Sequence, residues 1–280
     1  MGKLVTLDNL EKKPGIMFGR PIARQPMWEN QIKFQQAFLM LANEGYGVYI
    51  EDLDSLNWWL KHHSSCRNNI VAEFLNRKNC DYLVWIDDDM TFIDLAADIK
   101  RAISLNKDMV MGITSCKPTP HFPNIGKFAK IGDSGTIIDS IGYHIYEFPT
   151  DKPFEVDYGS MGFCVMKRKV LEKVPPPWFY FPPNPLTNNV WGEDVTFFFN
   201  AKMCGFELWC DPTIHCGHLG YTAWHHEKQG DHYLDYKESL IKQYKDNDID
   251  YTHRLVPEVQ ERFKKGEGPG DWWYATTKTV

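Results

Sequence analysis

The sequence predicts a single α/β domain: a mixed, mostly parallel central sheet flanked by helices, with a small antiparallel hairpin region. Three observations carry this. The first third alternates strand and helix patterns; the run Tyr82-Leu83-Val84-Trp85-Ile86 is apolar throughout and stops at three aspartates; and residues 126–146 alternate apolar and polar positions around a Gly-Asp-Ser-Gly break. A short, uninterrupted apolar run is the mark of a strand buried on both faces, and period-two alternation with turn residues is the mark of a hairpin. At 280 residues, 43% hydrophobic and 14% aromatic, the chain has material for one large core, so a single domain over 1–280 is expected.

The elements follow in order. Gly15 to Phe18 reads as a short first strand, followed by a loop at Gly19-Arg20-Pro21. Residues 28–43 place Phe34, Phe38 and Leu41 at helical spacing, and Gly47 to Ile50 is a second strand ending at Glu51 and Asp52. From Arg67 a second helix carries Val71, Phe74 and Leu75 on one face and leads into the strand at 82–86. Such a βαβαβ order implies parallel strands joined by right-handed crossovers. Residues 94–106 then read as a helix and 108–114 as a strand. The stretch 174–185 holds six prolines around Trp178, Phe179, Tyr180 and Phe181, a stiff loop. After Trp191-Gly192-Glu193-Asp194, the residues Val195, Phe198, Phe199 and Met203 recur at helical spacing, and Gly205 stands where a left-handed cap would close that helix. Residues 206–209 read as a strand, Asp211-Pro212 as a turn and 213–220 as an exit segment. Further on, a helix is expected from Pro257, and Trp272-Trp273-Tyr274 form an aromatic cluster. There is no internal repeat.

Composition narrows the function classes. A net charge of -6 argues against a protein that coats nucleic acid, so no stable nucleic-acid complex is expected. Seven cysteines, an odd total without a CxxC pair, do not make a disulfide framework and fit a reducing compartment. The charged N-terminal residues lack a signal core, and no stretch approaches the roughly 18 apolar residues of a membrane span. A cytoplasmic protein is expected.

The chemistry gathers where strands end. In open α/β sheets ligands bind beyond the carboxyl ends of the strands, which is where residues 82–86 deliver Asp87, Asp88 and Asp89. Adjacent carboxylates repel one another, and a divalent cation offsets that repulsion; aspartate oxygens suit Mg2+ or Mn2+, which in turn hold phosphate oxygens. In an extended segment Asp87 and Asp89 would face one side and Asp88 the other. A carboxylate at a helix start, Glu193 or Asp194, can act as general base, or can simply complement the helix dipole.

In this order the features resemble the nucleotide-sugar-dependent glycosyltransferases of the GT-A fold, a Rossmann-like architecture, and especially the inverting family 2. The resemblance rests on Asp87-Asp88-Asp89 as a DxD motif, on the Gly-Ser-Met-Gly-Phe-Cys-Val-Met-Lys strand from Gly159 to Lys167, on Gly192-Glu193-Asp194, and on Gly217-His218-Leu219-Gly220. It covers about residues 14–220; residues 221–280 form a C-terminal extension outside it. The first strand has a shorter apolar run than is common in family 2.

The resemblance implies Asp89 as the direct metal ligand, Asp87 as a contact to ribose and metal-bound water, Asp88 in the variable position, and His218 completing the metal site, with His215 and His225 as rivals. It implies Asp194 as catalytic base, with Glu193 as an alternative that would instead hold the acceptor. Base and ribose would lie near Gly19, Arg20, Pro21 and Glu51. Arg67 would pair with phosphate or stack on the base unless it is an exposed helix residue, and Lys117 is a weaker phosphate candidate. Gly162, Trp191 and Gly192 would wall the acceptor. The implied cofactor is Mn2+ or Mg2+, the implied donor a UDP- or GDP-sugar, and the implied acceptor a glycan or other hydroxyl. Similar enzymes occur in viruses and phages as well as in bacteria. Two other classes share the three aspartates or the fold: a metal-dependent nucleotidyltransferase or phosphohydrolase, which usually carries a glycine-rich basic loop at the first strand, and a non-catalytic sugar-binding protein.

Overall fold

The computed structural model describes residues 13–22, 28–54, 63–115, 123–145, 148–184, 189–219 and 223–224. The helix expected from Pro257, the Trp272–Tyr274 cluster, His225 and Lys117 lie outside the described residues.

The first half builds β1 (Gly15–Ile22), α1 (Trp28–Asn43), β2 (Gly47–Asp54), α2 (His63–Asn76), β3 (Tyr82–Ile86), β4 (Met90–Phe92), α3 (Leu95–Ser104) and β5 (Met109–Ile113). The second half adds β6 (Ile125–Lys130), β7 (Ile141–His144), β8 (Phe154–Val156), β9 (Tyr158–Gly159), β10 (Phe163–Lys167) and α4 (Arg168–Lys173). It closes with β11 (Pro183–Asn184), β12 (Asn189–Val190), α5 (Glu193–Met203), β13 (Leu208–Leu219) and β14 (Ala223–Trp224).

The main sheet has the order β14-β13-β5-β10-β3-β1-β2, with β4 and β8 also paired to β13. Strands β2, β1, β3, β5 and β13 share one direction, and β10 runs against β3 and β5 between them. A separate antiparallel sheet, β7-β6-β9, supplies the expected hairpin region. This is the mixed α/β class that the sequence predicts, and it is consistent with a GT-A arrangement.

Strand β3 shows why the sheet forms. Leu83 and Trp85 enter the core layer that holds Phe74 of α2 and Phe197 of α5, while Val84 and Ile86 enter the layer that holds Phe34 of α1 and Ile99 of α3. An apolar run with no polar face can satisfy both layers only in the middle of the sheet. The helix ends are satisfied too. Asp94 caps α3 by accepting from the Ala97 N–H at 3.0 Å. The Arg168 guanidinium donates to the carbonyl of Phe74 in the last turn of α2 at 2.9 Å and to that of Cys80, in the connection to β3, at 2.6 Å. Gly205, at φ 86°, closes α5 as its position predicts.

Three expectations are corrected. Gly19-Arg20-Pro21 is not a loop: β1 continues to Ile22, pairing Gly19 with Glu51, Arg20 with Asp52 and Pro21 with Leu53, so β2 also runs past Glu51. Proline is tolerated there because β3 pairs with β1 only as far as Gly19, so beyond that point β1 has a ladder with β2 on one side alone among the described residues. Gly19 is required for close packing, since a Cβ would stand 2.7 Å from Ile70 of α2. Second, α2 begins at His63, so Arg67 lies within the helix rather than opening it. Third, Asp211-Pro212 does not end a strand. β13 passes through it with a register shift between Cys210 and His215, and Asp211 accepts from the Thr213 N–H at 3.0 Å. The turn signal marks a bulge.

The proline-rich segment is pinned to the core. Phe179 is buried and stacked on Phe197 with centroids 4.8 Å apart, and the Asn68 side chain both donates to the Phe179 carbonyl at 2.8 Å and accepts from its N–H at 3.0 Å. Among the described residues, no helix is long and apolar enough to cross a membrane.

Candidate active site

Asp87, Asp88 and Asp89 form the turn between β3 and β4, with the Met90 N–H reaching the Asp87 carbonyl at 3.3 Å. The segment is therefore not extended, and the alternation expected of its side chains does not apply. Asp88 is buried and Asp87 half-buried. The turn is braced from several elements. Asn30 of α1 donates to the carbonyls of Asp87 at 3.0 Å and Met90 at 2.7 Å; the Asp87 N–H reaches the Gly162 carbonyl at 3.3 Å; and the Leu219 N–H reaches the Asp89 carbonyl at 2.6 Å.

Behind Asn30 stands Arg20, fully buried, which donates to Asn30 Oδ1 at 2.9 Å and Gln31 Oε1 at 3.1 Å and lies over the Phe34 ring. Its guanidinium thus reaches two side chains of α1 from within the core. Asn30 is the residue that sequence reasoning missed. The available signal was its spacing: residues 30, 34, 37 and 41 form the buried stripe of α1, and a polar member of such a stripe needs a partner.

Strand β4 pairs with β13 so that Met90 faces His218. The His218 ring sits with Nδ1 2.8 Å from the Ser115 carbonyl and Nε2 3.3 Å from Asp89 Oδ1. A carbonyl only accepts, so Nδ1 carries the proton there, and Nε2 then turns a lone pair toward a carboxylate oxygen. Such a contact is favourable only with a cation between the two atoms, either a proton on Nε2 or a metal ion. His215 stands three residues earlier on β13. It acts electrostatically on Asp98 of α3, whose carboxyl is pushed up to about 7 by burial and by Asp94, with His215 pulling it down.

The second acidic group stands at the start of α5. Gly192 is its extended N-cap, and a Cβ there would come within 2.8 Å of Asp194 Oδ1. Asp194 Oδ1 accepts from the Val195 N–H at 2.8 Å. Glu193 turns instead to Arg67, with Oε1 3.5 Å from Nε, while Arg67 Nη2 donates to Asp87 Oδ1 at 2.9 Å. Arg67 is buried, which overturns the reading of it as an exposed helix residue. Burial alone would lower its proton affinity, but the charges of Asp87, Glu193 and Asp194 outweigh that and raise it. Asp194 is pushed up to about 7, first by burial and then by the Glu193 charge, with Arg67 opposing.

The remaining candidates fall around this centre. Glu51 lies within β2, 4.0 Å from Arg77. Gly162 sits beside the aspartate turn, where a Cβ would meet Met90 Sδ at 2.9 Å. Trp191 packs edge-on against Phe128 of the small sheet with centroids 6.4 Å apart. The structure thus brings together Asp89 with His218, and Asp87 with Arg67 and Glu193. Among the described residues it gathers no three His, Cys, Asp or Glu side chains into one metal cage, so Asp87, Asp89 and His218 do not form the expected trio.

No protein-family model and no curated protein sequence matches the chain. Solved structures similar to it include A197 from STIV, at 18% identity and a TM-score of 0.47, over 74% of this chain and 86% of that one. GalNAc-T7 crystallised with UDP, GalNAc and Mn2+ is similar at 10% identity and a TM-score of 0.42, over 76% of this chain and 45% of that one. A putative glucose-1-phosphate thymidylyltransferase from Bacillus anthracis is similar at 12% identity and a TM-score of 0.37, over 74% of this chain and 89% of that one. At these scores the likenesses assign no activity, and the functional reading stands on the site.

Proposed function

We propose that the protein is a metal-dependent glycosyltransferase that moves a sugar from a nucleotide diphosphate sugar to an acceptor hydroxyl, with inversion and with Asp194 as base. The observation that carries this is the facing of Asp89 Oδ1 and His218 Nε2 at 3.3 Å across β4 and β13. A carboxylate and an imidazole suit Mn2+ better than Mg2+, which prefers oxygen, so Asp89 and His218 would hold the ion, with Asp87 reaching it through water. When bound, such an ion stabilises negative charge on a departing diphosphate.

The chain's own groups do the rest. The Asn30 and Gly162 contacts hold the aspartate turn in one geometry before the donor arrives, so little reorganisation is left to the reaction. Gly19, Pro21 and Glu51, in the second halves of the paired strands β1 and β2, would lie on the base and ribose side, and Asp88 remains the variable member of the turn. On the acceptor side, Gly162, Trp191 and Gly192 form the wall. Asp194 takes the hydroxyl proton as the new bond to the anomeric carbon forms and the bond to the diphosphate oxygen breaks. Its Oδ1 is already held by the Val195 N–H, which orients the carboxylate. A nucleotidyltransferase would need a basic phosphate loop at the first strand; Gly19-Arg20-Pro21 is strand with Arg20 buried, and residues 23–27 lie outside the described residues.

A thermal-shift panel of nucleotide sugars with and without Mn2+ tests the reading. Ligand at about 100 times Kd stabilises the native state by roughly 2.7 kcal/mol, so a nucleotide sugar that raises Tm only with Mn2+ is the expected result. A response to nucleoside triphosphates and sugar phosphates alone would favour the nucleotidyltransferase. The same assay separates the histidines: His218→Ala should remove the Mn2+-dependent shift, whereas His215→Ala should keep it. Retention of the full shift in His218→Ala would take His218 out of the metal site.

A further inference from the structure

We propose that Arg67 is a positioning residue that assigns the two acids at the start of α5 their roles, holding Glu193 beside Asp87 as its counter-ion and leaving Asp194 to meet the acceptor. The inference rests on the transferase reading and replaces the nucleotide contact expected of this arginine. Its side chain is 3% exposed, with Nη2 2.9 Å from Asp87 and Nε 3.5 Å from Glu193. Trp85 and Phe179 lie over the guanidinium at 5.4 and 5.8 Å. Aromatic rings at these distances restrict the approach of a base or a phosphate to the guanidinium faces, and two carboxylates already more than offset its single charge. The next residue, Asn68, fixes the Phe179 backbone on both sides, so the ring covering Arg67 is itself held in place.

One buried cation thus joins three elements: α2, the aspartate turn on the donor side and α5 on the acceptor side. A fork-shaped guanidinium can bridge two carboxylates in a way that a lysine ammonium cannot. The two acids at the helix start consequently differ in what they face. Glu193 is turned to Arg67, and Asp194 is turned back on its own helix. The charges that bear on Asp194 are Glu193 from its own helix, Arg67 from α2 and Asp87 from the turn, and Arg67 alone among them favours its ionised form.

The test compares wild type, Arg67→Gln, and Arg67→Gln combined with Glu193→Gln, the last removing the cation and one of its acids together in case the single variant does not fold. Two quantities are measured: the calorimetric Kd of UDP and GDP with Mn2+, and the release of nucleoside diphosphate from the matching nucleotide sugars with water as acceptor. A positioning role predicts Kd within about 3-fold of wild type in both variants, and release at saturating donor lowered on the order of 30-fold. In Arg67→Gln the rising limb of the pH profile should also move to higher pH, because a cation beside Asp194 is gone. Kd weakened about 30-fold with release at saturation retained would make Arg67 a nucleotide ligand and overturn the inference. A wild-type protein that binds neither diphosphate with Mn2+ is a different result, and it removes the proposed function together with this inference.

Discussion

Asp89→Asn is expected to weaken Mn2+-dependent binding of UDP or GDP by more than the roughly 10- to 100-fold that loss of a metal's outer partner typically costs. The substitution keeps the size and shape of the side chain. It also keeps the main-chain carbonyl that accepts from the Leu219 N–H at 2.6 Å, so the junction of the turn with β13 survives and the chain should fold. What is lost is the negative charge 3.3 Å from His218 Nε2. An amide oxygen is a weaker ligand for a hard cation than a carboxylate, and the amide nitrogen can only donate. Calorimetry with and without Mn2+ reads the effect directly. Unchanged Mn2+-dependent affinity in this variant would remove Asp89 from the metal role and leave the aspartate turn as a structural feature.

Much of the framework behind that prediction was legible because single segments report their own burial. β3 has no polar position among its five residues, and α1 repeats apolar residues at helical spacing, so each declares itself without its neighbours. The misread segments are those whose meaning depends on what lies across from them. Gly-Arg-Pro looks like a loop until β2 is placed beside it and Asn30 is placed to take up the buried arginine. Asp211-Pro212 looks like a chain reversal until β5 and β4 hold both halves of β13.

The site divides in the same way. The acids at 87–89 and at 193–194 stand out because several carboxylates follow an apolar run or open a helix. Asn30 and the bridging geometry of Arg67 are products of tertiary packing, and one polar residue within a helix does not reveal them. The contact between Asp89 and His218 spans 129 positions of sequence and arises only because β4 folds back onto β13.

Asp194→Asn should lower turnover by on the order of 100-fold or more while donor affinity stays within a few-fold, because the group would be lost from the proton transfer and not from the nucleotide site. In the wild type, turnover should rise with pH through about 7, where the partly desolvated carboxyl gives up its proton, and the variant should lack that limb. Stability supplies an independent check whose sign is opposite to that of most acids. Asp194 is pushed above its ordinary range in the folded chain, so between about pH 4 and 7 the folded state binds more protons than the unfolded one and loses stability as pH rises. An asparagine carries no such penalty. Asp194→Asn should therefore melt higher than wild type at pH 8, and the gain should shrink toward pH 4. Thermal melts across that range, beside initial rates at saturating donor, separate the two roles. Collapse of donor affinity in the variant would move Asp194 to the nucleotide site. A Tm difference that stays flat with pH would mean that its carboxyl is not held in the protonated form by burial and by Glu193, and so is not poised to take a proton near neutrality.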